Sequence, residues 1–296
     1  MSGENPRSHF SSSNIDLCKI GIVGFGCDVN SSFLRNTAEA PPLIRNAFSC
    51  PSSNLWSESG LDLGKEDIFF DAGDVWPNLN EDWMDVIEAS ISNLLAHALY
   101  PLSLGGDHSI TYFIARALRR RYPKLSMLYI DAHPDLYDQF DCNKYSHASS
   151  CARIMEDRLV DRMVQVGIRT LNGHQREQAA RLKVEICEMK DWHDQIEFNL
   201  ETPIYISVDL DGLDPAFAPG VSHPEPGGLS TRDVIDLIHG LKQPVIGADI
   251  VEFNPGKDVH NLTAMVCAKL LKEISSKILE SALSCEIKGQ IVDSAA

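Results

Sequence analysis

The chain lacks paired cysteine motifs, an excess of basic charge and any long apolar run, and each absence removes a class of protein. Its eight cysteines stand at 18, 27, 50, 142, 151, 187, 267 and 285, with no CxxC among them. In a chain of 296 residues this excludes a disulfide scaffold or zinc ribbon and reads as scattered reduced thiols. Lys and Arg number 26 against 42 Asp and Glu, a formal charge of −16. Phosphate binding needs a basic footprint, so nucleic acid is excluded as a partner, while a cationic small molecule suits the field. No stretch approaches the ~18 uninterrupted apolar residues of a spanning helix, so no membrane partner is expected. The opening MSGENPRSHFSSSNID carries Glu4 and Asp16 against a single Arg and has no apolar core. It reads as neither secretory signal nor transit peptide, and with reduced thiols it predicts a cytoplasmic protein. GFGCDV at 24–29 lacks the third glycine of a dinucleotide turn, and HExxH, GxSxG and GxxxxGKS are missing altogether.

What is present is an alternation of short apolar runs with longer amphipathic ones. Strands are predicted at 18–26, 68–74, 100–107, 126–133, 163–169, 203–211 and 244–253. Helices are predicted near 81–98, 109–121, 174–183, 231–241 and 262–283. Near-continuous β-branched runs fit strands buried on both faces, hence a parallel sheet covered by helices. That pattern predicts an α/β three-layer fold with right-handed crossovers. The Gly- and Pro-rich stretch 212–228 joins a strand directly to a helix opening at Ser230, so it reads as a long functional loop rather than a linker. The chain is therefore divided into a polar arm (1–16), one domain (17–285) and a short tail (286–296).

Three segments gather acids and imidazoles at the carboxyl ends of predicted strands, where open parallel sheets place their ligands. They are GGDHS (105–109), DAHPD (131–135) and SVDLDGLDP (207–215). Asp131, His133 and Asp135 recur at every second position, so in extended backbone they share one face. Asp209 and Asp211 repeat the spacing on another strand, and His108 ends a third. Partly buried carboxylates must be paired or bind a metal. Alone, DAHPD or DLD reads as an ordinary strand-end Asp cluster; together they read as a metal site. Four carboxylates and two imidazoles without sulfur suit Mn²⁺ or a similar divalent ion better than structural zinc. Such a charge count fits two ions, and a bridged pair lowers the pKa of a shared water.

GGDHS, DAHPD and SVDLDGLDPAFAPG resemble the three metal-binding signatures of the ureohydrolases, the arginase/agmatinase family. The likeness runs from about Asn30 to about Leu271, and DAHPDLYDQFDCNKYSHASSCARIME most resembles plant-type arginases. The resemblance implies a three-layer α/β/α sandwich around a mainly parallel eight-stranded sheet and a homo-oligomer, trimer or hexamer. It implies that Asp131 and Asp209 bridge two Mn²⁺ ions (Ni²⁺ being the alternative). His108 and Asp135 would complete one site, His133 and Asp211 the other. His147, in YSHAS, matches the catalytic proton shuttle; Glu252, in ADIVEFNP, matches the acid that holds the guanidinium; Asp249 matches a supporting acid. A guanidinium is planar and always charged, so paired hydrogen bonds from a carboxylate suit it. A histidine titrating near neutrality can protonate the departing nitrogen.

Two positions depart from the family pattern. Asn36 stands where glycine is common, and asparagine tolerates the left-handed backbone a turn there would need. Tyr137 stands where animal-type arginases carry the Asn that reads the amino-acid head group. Tyr137 and the acidic balance favour agmatine, cleaved to urea and putrescine, as the small cationic guanidino substrate. Arginine is the alternative, followed by free guanidine, guanidinobutyrate and other guanidino compounds. An amide hydrolase on a related fold with a single metal, and a binding subunit without turnover, are the competing classes.

Overall fold

A computed structural model describes residues 19–65, 67–76, 82–192, 198 and 200–293, with side chains to residue 283. The eight strands are β1 (Ile20–Phe25), β2 (Phe69–Val75), β3 (Tyr100–Leu104), β4 (Ser126–Ile130), β5 (Arg162–Ile168), β6 (Glu185–Glu188), β7 (Ile204–Asp209) and β8 (Val245–Val251). They form one parallel sheet in the order β2-β1-β3-β8-β7-β4-β5-β6. Among the described residues seven α-helices accompany them: α1 (Ala40–Phe48), α2 (Trp83–Ala96), α3 (Ile110–Arg121), α4 (Ser150–Glu156), α5 (Gly173–Leu182), α6 (Thr231–Gly240) and α7 (Leu262–Asp293).

Alternation along each strand builds two cores, one on either face of the sheet. In β4, Leu128 and Ile130 pack with Ile44 and Phe48 of α1, Ile235 of α6 and Leu270 and Ile274 of α7. Met127 and Tyr129 turn the other way, toward Ile87 and Ile91 of α2, Ile114 of α3 and Cys151 of α4. Both faces are thus covered, which is why the strands read as continuous apolar runs. The three-layer α/β/α fold read from the sequence is the fold observed.

Three elements were not foreseen, each for a physical reason. The edge strand β6 is four residues with glutamate at both ends, too short and polar to read as a buried run. Helix α1 opens on Pro41-Pro42, which is tolerated in a first turn but masks the helical pattern. Helix α4 has only seven residues. Helix α7 runs to Asp293 rather than stopping near 283, so most of the tail expected over 286–296 continues a helix. The polar arm expected over 1–16 lies outside the described residues. Among the described residues no helix is long and apolar enough to cross a membrane.

The chain order of the sheet matters for function. Strands β3, β8, β7 and β4 are neighbours at its centre, and their carboxyl ends lead into Gly105–His108, Glu252, Asp211 and Asp131–Asp135. Residues far apart in sequence therefore converge above one edge, where the strand order reverses direction. Close packing at this edge demands glycine at 106, because a Cβ there would stand 1.7 Å from the Cys27 carbonyl oxygen.

Candidate metal centre and active site

His108 is the deepest of the described histidines and its surroundings fix its ring. Asp249, fully buried, accepts hydrogen bonds from Thr111 Oγ1 (2.9 Å), Tyr205 OH (2.9 Å) and Ser207 Oγ (2.6 Å). With its proton given to Asp249, Ser207 Oγ accepts from His108 Nε2 at 2.8 Å. The Nδ1 atom of His108 then faces Asp131 Oδ2 and Asp209 Oδ2, each at 3.0 Å, and Asp135 Oδ2 at 3.6 Å. A neutral ring would aim a lone pair at three carboxylates, so a proton or a metal cation must occupy the gap. Burial disfavours charge on His108, but hydrogen bonding to Asp131 and Asp209 outweighs it and raises its pKa well above the usual imidazole range.

A second group adjoins the first. His133 Nδ1 lies 3.2 Å from Asp211 Oδ2 and 3.4 Å from Asp131 Oδ1. Ligand atoms of His108, Asp131 and Asp209 lie within 4.8 Å of one another, as do those of Asp131, His133 and Asp211, so Asp131 belongs to both groups. Asp209 uses Oδ1 to accept the Asp211 backbone N–H at 2.8 Å, which ties the two strand-end acids together. Arg169 secures the same turn, donating to the carbonyls of Gly167 (2.8 Å), Asp211 (2.6 Å) and Glu225 (2.9 Å).

Electrostatics agree with the geometry. Burial, with the charges of Asp211 and Asp131, pushes Asp209 far above the carboxylate range. Burial and Asp131 push Asp135 up to about 7. Asp211 is held low, since His133 overcomes the cost of its burial. Among the described residues the ion pairs of these acids are to histidines, not to lysine or arginine. Apart from its 3.0 Å approach to His108 Nδ1, buried Asp131 Oδ2 has no hydrogen-bond partner among the described residues. Oxygen- and nitrogen-only donors, crowded like charges and a buried carboxylate oxygen whose one near neighbour is a histidine nitrogen are what a pair of divalent cations fits.

Beside this centre, Glu252 accepts from the His108 backbone N–H (2.9 Å) and from His147 Nδ1 (2.7 Å), both at Oε1. Its backbone is left-handed, φ 62°, as is that of Asp135, φ 50°. Such strain persists only where surrounding structure over-determines it. On its other side His147 meets Ser32, whose backbone N–H lies 3.1 Å and whose Oγ lies 2.8 Å from Nε2. Burial works against a charged His147, yet Glu252 outweighs it and the pKa rises to about 9. The Ser32 segment is itself anchored: Asp107 Oδ2 accepts the Asn30 backbone N–H at 2.9 Å.

A cavity of about 690 Å³, open mouth included, joins these groups and is lined by His133, Asp135, Asp209, Asp211, His147 and Glu252. Tyr137 also lines it, its hydroxyl accepting from Asn172 Nδ2 at 2.7 Å and its ring stacked on His174. His108, Asp131 and Asp249 are buried and are not among its lining residues. Asp249 has its described hydrogen bonds with Thr111, Tyr205 and Ser207. Sequence reasoning missed His223, which enters the cavity wall with its ring 5.4 Å from that of His147 and 5.8 Å from that of His133. The signal was its place in the long 212–228 loop. It also missed Ser32, Tyr129 and Ser207, although Ser207 opens the SVDLDGLDP segment.

The family model described as the arginase family matches residues 18–276. The chain belongs to the arginase family. It is therefore a ureohydrolase, one of the amidinohydrolases of that family, which act on guanidino substrates through a dinuclear metal centre and are typically oligomeric. It is 47% identical over 274 residues to "Arginase 1, mitochondrial" of Arabidopsis thaliana, covering 87% of this chain and 80% of that protein. It is 31% identical to a guanidinobutyrase of Pseudomonas aeruginosa, covering 89% and 88%. The solved arginase from Medicago truncatula superposes with a TM-score of 0.81 at 38% identity, covering 88% of each chain. Arginase-family membership was legible in the motifs, but agmatine as the leading substrate is not supported; the relatives favour the arginine alternative. The cytoplasmic placement is overturned as well. The Arabidopsis and rice arginases are named mitochondrial, and a second Arabidopsis arginase chloroplastic/mitochondrial.

Proposed function

We propose that this protein is an arginase, hydrolysing L-arginine to urea and ornithine, with Mn²⁺ as its metal (Ni²⁺ the alternative). The observation that carries the reading is the 47% identity to a plant arginase along a chain whose cavity is lined by Glu252, His147, His133 and three strand-end acids, with His108 and Asp131 bound up in the same cluster. His108, Asp131, Asp135 and Asp209 are assigned to one ion, and Asp131, His133, Asp209 and Asp211 to the other. Two divalent ions held there would lower the pKa of a water toward neutrality and so would supply the nucleophile that an unreactive guanidinium requires.

The rest is the work of the chain. Among the described residues both donors to Glu252 use Oε1, which leaves Oε2 to pair with a guanidinium N–H. His147 is placed to pass a proton to the departing amine, and Ser32 equips it to do so. The Ser32 N–H serves the neutral ring and Ser32 Oγ accepts from the charged one, so the proton can come and go with little motion. Asp249 acts through Ser207 on the His108 ring and not on the substrate.

Outside the acid–histidine cluster the lining residues Ser32, Tyr137, Phe140, Ala148, Thr170 and Gln175 are uncharged. Hydroxyls and an amide suit the self-compensating amino-acid head of arginine; the lone ammonium of agmatine would need a carboxylate instead. The organellar names of the plant relatives support a mitochondrial or plastid setting, and the family habit supports a trimer or hexamer. Urea release from arginine, agmatine, guanidinobutyrate and free guanidine by the Mn²⁺-loaded protein tests the reading. Arginine is expected to exceed the others in kcat/KM. A preference for agmatine overturns the substrate, and urea from none overturns the activity.

A further inference from the structure

Tyr129 is a large polar side chain with no place in the reaction as described, yet it is completely buried against the metal centre. It sits on β4 two residues before Asp131, on the strand face that carries the second core. Its ring lies parallel to that of His108, with centroids 4.4 Å apart and planes within 3°. Its hydroxyl donates to Asp135 Oδ2 at 2.7 Å and lies 2.9 Å from His108 Nδ1 and 3.3 Å from Ser150 Oγ.

A phenol has one proton to give. Ser207 and Asp249 hold the His108 proton on Nε2, so a metal-bound His108 turns its Nδ1 lone pair to the ion and needs no donor there. The Tyr129 proton then belongs to Asp135. That carboxylate needs holding: its backbone is left-handed, and of the four ligand acids it has the longest approach to His108 or His133, 3.6 Å. The other site is held by the backbone instead, Asp211 Oδ1 accepting the Ala132 N–H at 3.1 Å. Among the described residues no tyrosine hydroxyl reaches His133 or Asp211, and the His133 side chain is 31% exposed.

We propose that Tyr129 is a positioning residue for one ion of the pair: its ring fixes the plane of His108 and its hydroxyl fixes the carboxylate of Asp135. Removing the hydroxyl should weaken that ion selectively and leave the ion held by His133 and Asp211 as it was. This rests on the ligand assignment given above, and the experiment separates the two.

The native protein, Tyr129→Phe, Asp135→Ala and the double variant are stripped of metal and titrated with Mn²⁺ by equilibrium dialysis, with thermal melting of each metal-free form alongside. The native chain is expected to bind two ions. Tyr129→Phe should keep one at native affinity and bind the second ~10–100-fold more weakly, the usual effect of losing a partner that orients a ligand. In the Asp135→Ala background, Tyr129→Phe should cost no further Mn²⁺ affinity. Two native affinities in Tyr129→Phe overturn the inference. Equal weakening at both sites, additivity with Asp135→Ala, or a metal-free variant that no longer melts cooperatively also overturns it, by assigning the phenol to packing. A native chain that fails to bind two ions sinks the ligand assignment instead.

Discussion

His147 Nδ1 donates to Glu252 Oε1 across 2.7 Å, although 105 residues separate them in the chain. The loop after β4 and the end of β8 meet at this bond, and it joins the proposed proton donor to the proposed guanidinium anchor. Glu252→Gln keeps the shape and removes the charge that both partners require. Breaking one side of a buried, hydrogen-bonded charge pair costs about 2–5 kcal/mol, or ~30-fold to several thousand-fold. The kcat/KM for arginine is expected to fall by such a factor while Mn²⁺ content stays at two per chain. Steady-state urea kinetics with metal analysis checks this, and unchanged kinetics would remove Glu252 from the site.

His147 should reveal itself by pH. Its folded pKa, about 9, is raised above the usual value of 6.5, so the folded chain holds a proton that the unfolded chain gives up first. The resulting stability is fully present below pH 6.5 and is lost as pH rises through about 9. Metal-free native protein should therefore lose more of its melting temperature over that window than His147→Asn does. Parallel profiles would mean that the pair stores no such linkage. In turnover, His147→Asn is expected to lower kcat by ~10²–10⁴-fold with little change in KM, the usual range for a general acid.

Much of this cluster could be read without coordinates, because acids and histidines at strand ends with a spacing of two mark themselves as candidate metal ligands. Asp131, His133 and Asp135 on one strand and Asp209 and Asp211 on another announce themselves by alternation and by the apolar runs before them. The sequence is silent on which strands become neighbours. Only the order β3-β8-β7-β4 sets Ser207 against Asp249 in register and so builds the support behind His108. His223, Ser32 and Tyr129 are invisible for a related reason. Each is an ordinary loop or strand residue whose importance is set by what folds against it, His223 by His147 and Tyr129 by His108. Substrate was the weakest reading, since Tyr137 is one wall residue among several and net charge says little about a pocket.

The two strand-end acids at the centre should separate on mutation. Asp131 belongs to both ligand groups, so Asp131→Ala is expected to lose both ions on gel filtration and all activity. Asp209 pairs with His108 through Oδ2 and braces Asp211 through Oδ1. Asp209→Ala should also be inactive, shedding the His108-side ion first as Mn²⁺ is lowered. Two equivalents of metal retained in both variants would contradict their place in the centre.

His223 offers a test of the cavity wall apart from its floor. Its ring stands 5.5 Å from that of Phe33 as well as near His147 and His133, and burial lowers its pKa, so it presents a neutral imidazole. His223→Ala widens the cavity without touching a proposed ligand. The KM for arginine is expected to rise ~10-fold, equivalent to about 1.4 kcal/mol of binding, with metal content unchanged. An unaltered KM would make His223 a bystander.

Asn36 is the position where glycine was expected from the family pattern, and its backbone is left-handed, φ 114°. Its side chain does work that glycine cannot, for Oδ1 accepts the Gly256 backbone N–H at 3.0 Å and ties the early segment to the turn after β8. The Asn36 N–H donates in turn to Asp28 Oδ2 at 2.8 Å. Asn36→Gly should lose the tether but relax the backbone, leaving stability within about 0.5–1.5 kcal/mol of native, the net worth of one hydrogen bond. Asn36→Ala loses the same bond but keeps a Cβ in the left-handed conformation, which places it ~1–2 kcal/mol below the glycine variant. Urea midpoints should therefore fall in the order native, Gly, Ala. Equal midpoints for the two variants would show that the turn relaxes and that no strain is held at this residue.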